Sequence, residues 1–220
     1  MKKIKLFFKS LGLILLYLIW QEITGLFANF YKGNLIMQNT ILIISAILIT
    51  AILIMIFKEE LLKDFINIKE KYNDYIPKCV KYWAIGFAAT YVINIIISVF
   101  LLNGIAPNEE ANRLMIKTYP IYTALSVCLL SPICEEILFR LSFRSCFKRK
   151  IPFVLFTGIF FASAHLLAST SLSDLFYIFS YSALGITFSL ACYNTDNIFS
   201  SMFTHVLHNT ITYLLIITFI

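Results

Sequence analysis

The chemistry available to this chain is concentrated in Glu135-Glu136, Arg140, His165, His205, His208 and Asn209. Each lies in, or at the edge of, a stretch apolar enough to cross a bilayer, where ionisable groups are costly and usually serve function. A carboxylate can act as a general base, and imidazoles and a carboxamide can hold a water or a developing oxyanion.

Helical spacing sorts these residues into pairs. Glu136 and Arg140 are four apart and share a face. Arginine keeps its charge, so it can hold Glu136 ionised in apolar surroundings. Glu135 sits about 100° round the helix from Glu136 and is free to act as a base tuned by burial. Pro132, one turn earlier, predicts a kink that frees backbone carbonyls. Phe161 and His165 form a second such pair, flanked by small residues that permit close helix approach. His205 and Asn209 form a third, and together they can donate two hydrogen bonds to one oxygen. His208 is expected to pack beside that site. Helical rise puts Glu135 and His205 level, ~12 Å from the ends of their spans, with His165 deeper at ~20 Å.

The elements that position these groups are membrane spans. Of 220 residues, 60% are hydrophobic and 14% charged, against roughly 45–50% and 25% in soluble domains. Seven apolar stretches approach the ~20 residues a spanning helix needs: 10–30, 35–57, 80–102, 119–142, 151–168, 175–193 and 198–219. The expected fold is an all-α polytopic transmembrane bundle of about seven spans, within a range of six to eight, since the fifth and sixth stretches are short. Residues 1–118 would form N-terminal spans, and 119–216 a catalytic core of the last four. The first span, preceded by lysines but followed by no small-x-small site, is expected to stay uncleaved.

Charge sets the expected topology. Fifteen of the eighteen Lys and Arg fall before the first span, between the second and third, or at the end of the fourth. Only Lys32, Arg113 and Lys117 fall on the other side. The bias puts the N-terminus in the cytoplasm and, with seven spans, the C-terminus outside. The net charge of +6 therefore belongs to topology and does not point to nucleic acid. Residues 58–78, with Leu61, Leu62, Phe65, Ile66 and Ile68 among charges, predict an amphipathic helix on the inner surface. Asn103 to Thr118 reads as an outer loop. Cys79, Cys128, Cys134, Cys146 and Cys192 show no metal-type spacing and are expected to form no disulfides.

Three motifs in order, Glu135-Glu136-Ile137-Leu138-Phe139-Arg140, Phe161-Ala162-Ser163-Ala164-His165 and His205-Val206-Leu207-His208-Asn209, resemble the CAAX protease and bacteriocin-processing (CPBP, or Abi) family of intramembrane endopeptidases. Leu141 departs from the Gly often found after the arginine. The resemblance implies that Glu135 and His165 activate a water and that His205 and Asn209 hold the oxyanion. Glu136, Arg140, Phe161 and His208 would support them. It implies no cofactor. The implied substrate is a membrane-associated or lipidated peptide or protein tail, reached by water from the cytoplasmic side. In a bacterial cell membrane, bacteriocin or signalling-peptide processing, or self-immunity, would be the role. Two alternatives stand beside this reading: a zinc-dependent protease using Glu135, His165 and His205 as ligands, and a non-catalytic membrane partner or immunity protein. The oligomeric state is not legible.

Overall fold

The computed structural model describes residues 2–102, 105–167, 169 and 171–219. The chain is an all-α bundle, 90% helical, with no strand among the described residues. Its helices are α1 (Lys2–Asn29), α2 (Leu35–Ile56), α3 (Lys58–Ile97, continued by a π-turn, Ser98–Leu102), and α4 (Pro107–Thr118). They continue with α5 (Pro120–Arg144), α6 (Lys150–His165), α7 (Ser173–Thr195) and α8 (Ile198–Phe219). Six of these, all but α4 and α6, are long and apolar enough to cross a membrane. The apolar helix α6 has 16 residues, about 24 Å of rise against a hydrocarbon core of ~30 Å.

Two expectations change. The outer loop at 103–118 contains a helix, α4. Its signals were present: Pro107 at the first position, Glu109 and Glu110 in the first turn, Lys117 in the last, each suited to its end of the helix dipole. The Asn103-Gly104 turn itself lies outside the described residues. The amphipathic stretch expected at 58–78 is a helical segment of its own but a shorter one: it opens α3 at Lys58 and ends at a kink at Lys71, whose backbone leaves helical geometry (φ −119°, ψ 16°), before the spanning arm begins.

Polar contacts fix which helix ends lie together. Lys3 Nζ reaches the Cys146 carbonyl, Lys150 Nζ reaches Asn194, and Arg144 pairs with Asp64 at 2.7 Å. Asp64, on the first arm of α3, also accepts the Ile198 N–H at 2.8 Å, and Asn197 Nδ2 donates to the Asp64 carbonyl. A carboxylate from another helix thus caps α8, satisfying one of the orphan donors at its N-terminus. The turn before it passes through Asp196 at φ 48°, a left-handed conformation that Asp tolerates. The lysine-rich end therefore gathers the starts of α1, α3, α6 and α8 and the ends of α5 and α7. At the opposite end, the Tyr213 hydroxyl donates to the Pro120 carbonyl.

α7 is the central helix and packs against α3, α6 and α8. Half of its most apolar window is buried, against 11% in α1, so α1 presents most of its surface to lipid. α6 and α7 meet glycine on glycine. A Cβ on Gly185 would overlap the Gly158 carbonyl oxygen, and one on Gly158 would come within 2.8 Å of the Ile186 backbone nitrogen. Small residues at such crossings let backbones approach in a bilayer. Because the obstacle is backbone, Gly185→Val is expected to lower stability by about 1–3 kcal/mol, the range for overpacked cores, measurable by SDS-induced unfolding in micelles.

Candidate active site

α5 is an irregular helix. A π-turn at Ser126–Leu130 and another at Ile137–Leu141 flank the short α-helical segment Ser131–Glu136. In the first π-turn the Ser131 N–H bonds the Ser126 carbonyl, five residues back. The next bond in that register would run from residue 132 to the Val127 carbonyl, but Pro132 has no N–H. Asn209 Nδ2 donates to that carbonyl instead, at 2.8 Å. The proline kink thus supplies the acceptor that orients a side chain from α8.

Glu136 and Arg140 are fully buried. Glu136 Oε1 accepts from Arg140 Nη1 at 3.0 Å and from His205 Nδ1 at 2.8 Å, and the Ser201 hydroxyl donates to Oε2. Arg140 also donates through Nη2 to the Gly185 carbonyl at 2.9 Å and through Nε to Ser189 at 3.2 Å. Ser189 in turn bonds Thr157 of α6. The guanidinium carbon lies 4.5 Å from the Phe161 ring centroid and 5.8 Å from that of Phe188, distances suited to cation–π attraction. One ion pair therefore ties together α5, α6, α7 and α8.

Glu135 points the other way. Its Oε2 is buried and has no hydrogen-bond partner among the described residues. Two imidazole Nε2 atoms face it, His205 at 3.8 Å and His165 at 3.9 Å. The His165 Nδ1 lies 3.0 Å from the Phe161 carbonyl. A carbonyl only accepts, so Nδ1 carries the proton. His205 Nδ1 likewise serves Glu136, so both rings offer Nε2 to the same carboxylate. Phe188 stacks on His205 (centroids 4.5 Å, planes 23° apart), and Phe161 lies against both histidines. His165 does reach the level of Glu135.

All four residues expected to do the chemistry, and His208 with Phe161, line one cavity of about 260 Å³. His208 sits between the Phe87 and Phe188 rings with its Nδ1 unpartnered among the described residues. The Asn209 amide has one N–H committed to Val127, leaving one for an incoming oxygen. The two-donor expectation for His205 and Asn209 thus becomes more specific. With Nδ1 held by Glu136, His205 donates from Nε2 only as an imidazolium.

The cavity runs toward the end of the bundle opposite the lysines. Its walls are Thr90 and Asn94 of α3, Asn108 and Asn112 of α4, Ser180 and Tyr181 of α7, and Thr212 and Tyr213 of α8. The expected entry from the lysine-rich side is not where this cavity lies: there Asp64, Arg144 and Ile198 hold α3, α5 and α8 together, beside a separate cavity of about 330 Å³ lined by Arg144, Phe147, Phe153, Cys192, Tyr193 and Asp196. Spacing located Glu135 correctly along its helix but says nothing of toward which end its pocket opens.

Sequence reasoning missed Ser201, Ser189, Thr157 and Gly185. Two had a legible signal. Carrying each polar stripe one turn back, from His205 to Ser201 and from Phe161 to Thr157, finds them. Among the described residues, no group of three or more His, Cys, Asp or Glu is arranged to hold a metal ion.

The fold and site together define a polytopic membrane protein with a buried, hydrogen-bonded carboxylate–guanidinium core and a glutamate–histidine pocket. Residues 117–211 match the family model described as type II CAAX prenyl endopeptidase Rce1-like. That stretch contains all three motifs, so the CPBP resemblance is borne out there. It is a protease family, and with six apolar helices the chain is an integral membrane protein. No curated protein and no solved structure matches the chain.

The two glutamates should separate experimentally. Glu136→Gln strands a buried arginine and is expected to cost about 3–5 kcal/mol of stability. Glu135→Gln, which gives up no protein hydrogen bond at Oε2, is expected to cost under ~1 kcal/mol. SDS unfolding of the two variants side by side checks this.

Proposed function

We propose that this protein is a glutamate-dependent intramembrane endopeptidase. The observation that carries the reading is the convergence of two imidazole Nε2 atoms on the unpartnered Oε2 of Glu135 at the floor of a cavity. At 3.8 and 3.9 Å these atoms are too far apart to bond directly and well spaced for one water to bridge. A water there donates one hydrogen to Glu135 and the other to an imidazole, leaving its lone pair for a carbonyl carbon.

In the proposed reaction, Glu135 takes the proton as the water oxygen attacks. The resulting oxyanion receives the free N–H of Asn209, beside the His205 ring that Glu136 holds in place. Glu135 then returns its proton to the leaving amine, and the peptide bond breaks. His165 positions the water through Nε2, its tautomer set by the Phe161 carbonyl.

The charge bias assigns the lysine-rich end to the cytoplasm, which turns the cavity mouth to the outer face. The substrate is then a membrane-associated segment presented from outside, as in processing of a secreted peptide or immunity against one.

Purified protein should cleave at least one member of a panel of membrane peptides. Glu135→Gln should abolish cleavage, and Asn209→Ala should slow it about 10²–10³-fold, the cost of one oxyanion donor. A chelator should leave the rate unchanged. Loss with chelator and return with zinc would instead establish the metal reading, and full activity in Glu135→Gln would remove the base assignment.

Orientation has its own test. A cysteine at Asn112→Cys, in the cavity wall on α4, should react with a membrane-impermeant thiol reagent in intact cells. Reaction only after the cells are opened would reverse the topology.

A further inference from the structure

A buried polar atom without a partner calls for an explanation, because leaving one unpaired costs free energy. Among the described residues, two such atoms belong to side chains that line the cavity: Glu135 Oε2 and His208 Nδ1. The proposed reaction uses the first and leaves the second idle. Other polar groups of the wall are already spent on one another. Thr90 Oγ1 donates to the Ser180 carbonyl, and the Ser180 hydroxyl donates to Asn94. Packing does not call for a histidine at 208 either. Its ring lies against Phe87 and Phe188, with centroids 6.1 and 6.2 Å away, contacts that a phenylalanine would make as well.

Position ties His208 to the reacting centre. Phe188 also stacks on His205 at 4.5 Å, so a single ring stands between the two imidazoles. At about 3.3 Å per residue of extended chain, a peptide whose scissile carbonyl is beside His205 has an amide within reach of His208 no more than about three residues away. A segment extended for cleavage has given up its helical hydrogen bonds. In a bilayer each backbone N–H and C=O so released needs a new partner. A neutral imidazole carries one donor and one acceptor, the complement of one peptide group.

We infer that His208 is a substrate-binding residue that pairs with a backbone amide close to the scissile bond. The inference rests on the peptidase reading for its ligand class but concerns binding, so the two fail separately.

The test takes, from the panel of membrane peptides, the one that binds Glu135→Gln most tightly in micelles by fluorescence anisotropy. Adding His208→Phe should weaken binding about tenfold, the worth of one buried hydrogen bond. Adding His208→Gln, which keeps a donor and an acceptor, should hold binding within about threefold. SDS unfolding should find His208→Phe no less stable than its parent, since it removes an unpaired buried polar atom. Replacing each backbone amide of the peptide by an ester, one at a time, should reveal one position where the ester weakens binding to the His208 protein and costs nothing further in His208→Phe. Equal binding by His208→Phe, equal loss in His208→Phe and His208→Gln, the lack of any such ester position, or binding of no peptide overturns the inference. Cleavage of the same peptide by the wild type is read in parallel. Binding that depends on His208 without cleavage would defeat the peptidase reading and leave this inference standing, and cleavage with binding indifferent to His208 would do the reverse.

Discussion

The buried ion pair between Glu136 and Arg140 is the constraint around which the rest of the molecule is arranged. Neither side chain has any exposed surface, and two uncompensated charges in such a place would cost several kcal/mol each. The cost is met by completing nearly every hydrogen bond. Glu136 receives three donors, from α5 and α8, and Arg140 gives to three acceptors, on α5 and α7, while aromatic rings of α6 and α7 flank it. These partners come from four helices, so the pair is satisfied only when those helices are correctly docked. In a bilayer, where lipid tails solvate apolar helix faces as well as another helix does, polar satisfaction of this kind selects one arrangement among many.

The same constraint explains the glycines. The Gly185 carbonyl is available to Arg140 because Gly185 has no side chain to hold α6 away from α7. Its helical bond partner Ser189 also serves Arg140, and Thr157 completes the chain from α6. Close backbone contact and charge burial are therefore two aspects of one helix crossing.

Much of this was legible in sequence, and the limits were physical. Residues four apart on a helix must share a face, so the pairs Glu136–Arg140, Phe161–His165 and His205–Asn209 could be drawn from spacing alone. Hydropathy placed α2, α5, α7 and α8 to within about two residues of their ends, because the bilayer fixes their length; it began the first span eight residues late, saw only the second arm of α3 and counted the 16-residue α6 among the spans. The Ser189 hydroxyl is not legible, since serine is common on membrane helices and only tertiary docking gives this one a charged partner. α7 carries no motif residue at all, so nothing in its sequence marked it as the central helix. α4 was read as loop because Pro107 and the preceding Asn-Gly look like punctuation, although the same proline suits the first turn of a helix. The π-turns of α5 leave no sequence mark beyond Pro132, whose missing N–H explains only where the Asn209 amide goes.

The adjacency of Glu135 and Glu136 also accounts for where the cavity can be. Two neighbouring helical residues diverge by about 100°, so if one carboxylate is sealed among four helices the other must face a different sector. Packing that sector as tightly would bury a second carboxylate, and Arg140 is already committed to the first. A polar, open space beside Glu135 is thus what the Glu136–Arg140 pair leaves room for. At the lysine-rich end Asp64 draws the first arm of α3 against Arg144 and the start of α8. The cavity beside Glu135 opens the other way, among α3, α4, α7 and α8, where Thr90 and Asn94 of α3 meet Ser180 of α7 through neutral hydrogen bonds that water or a peptide can replace.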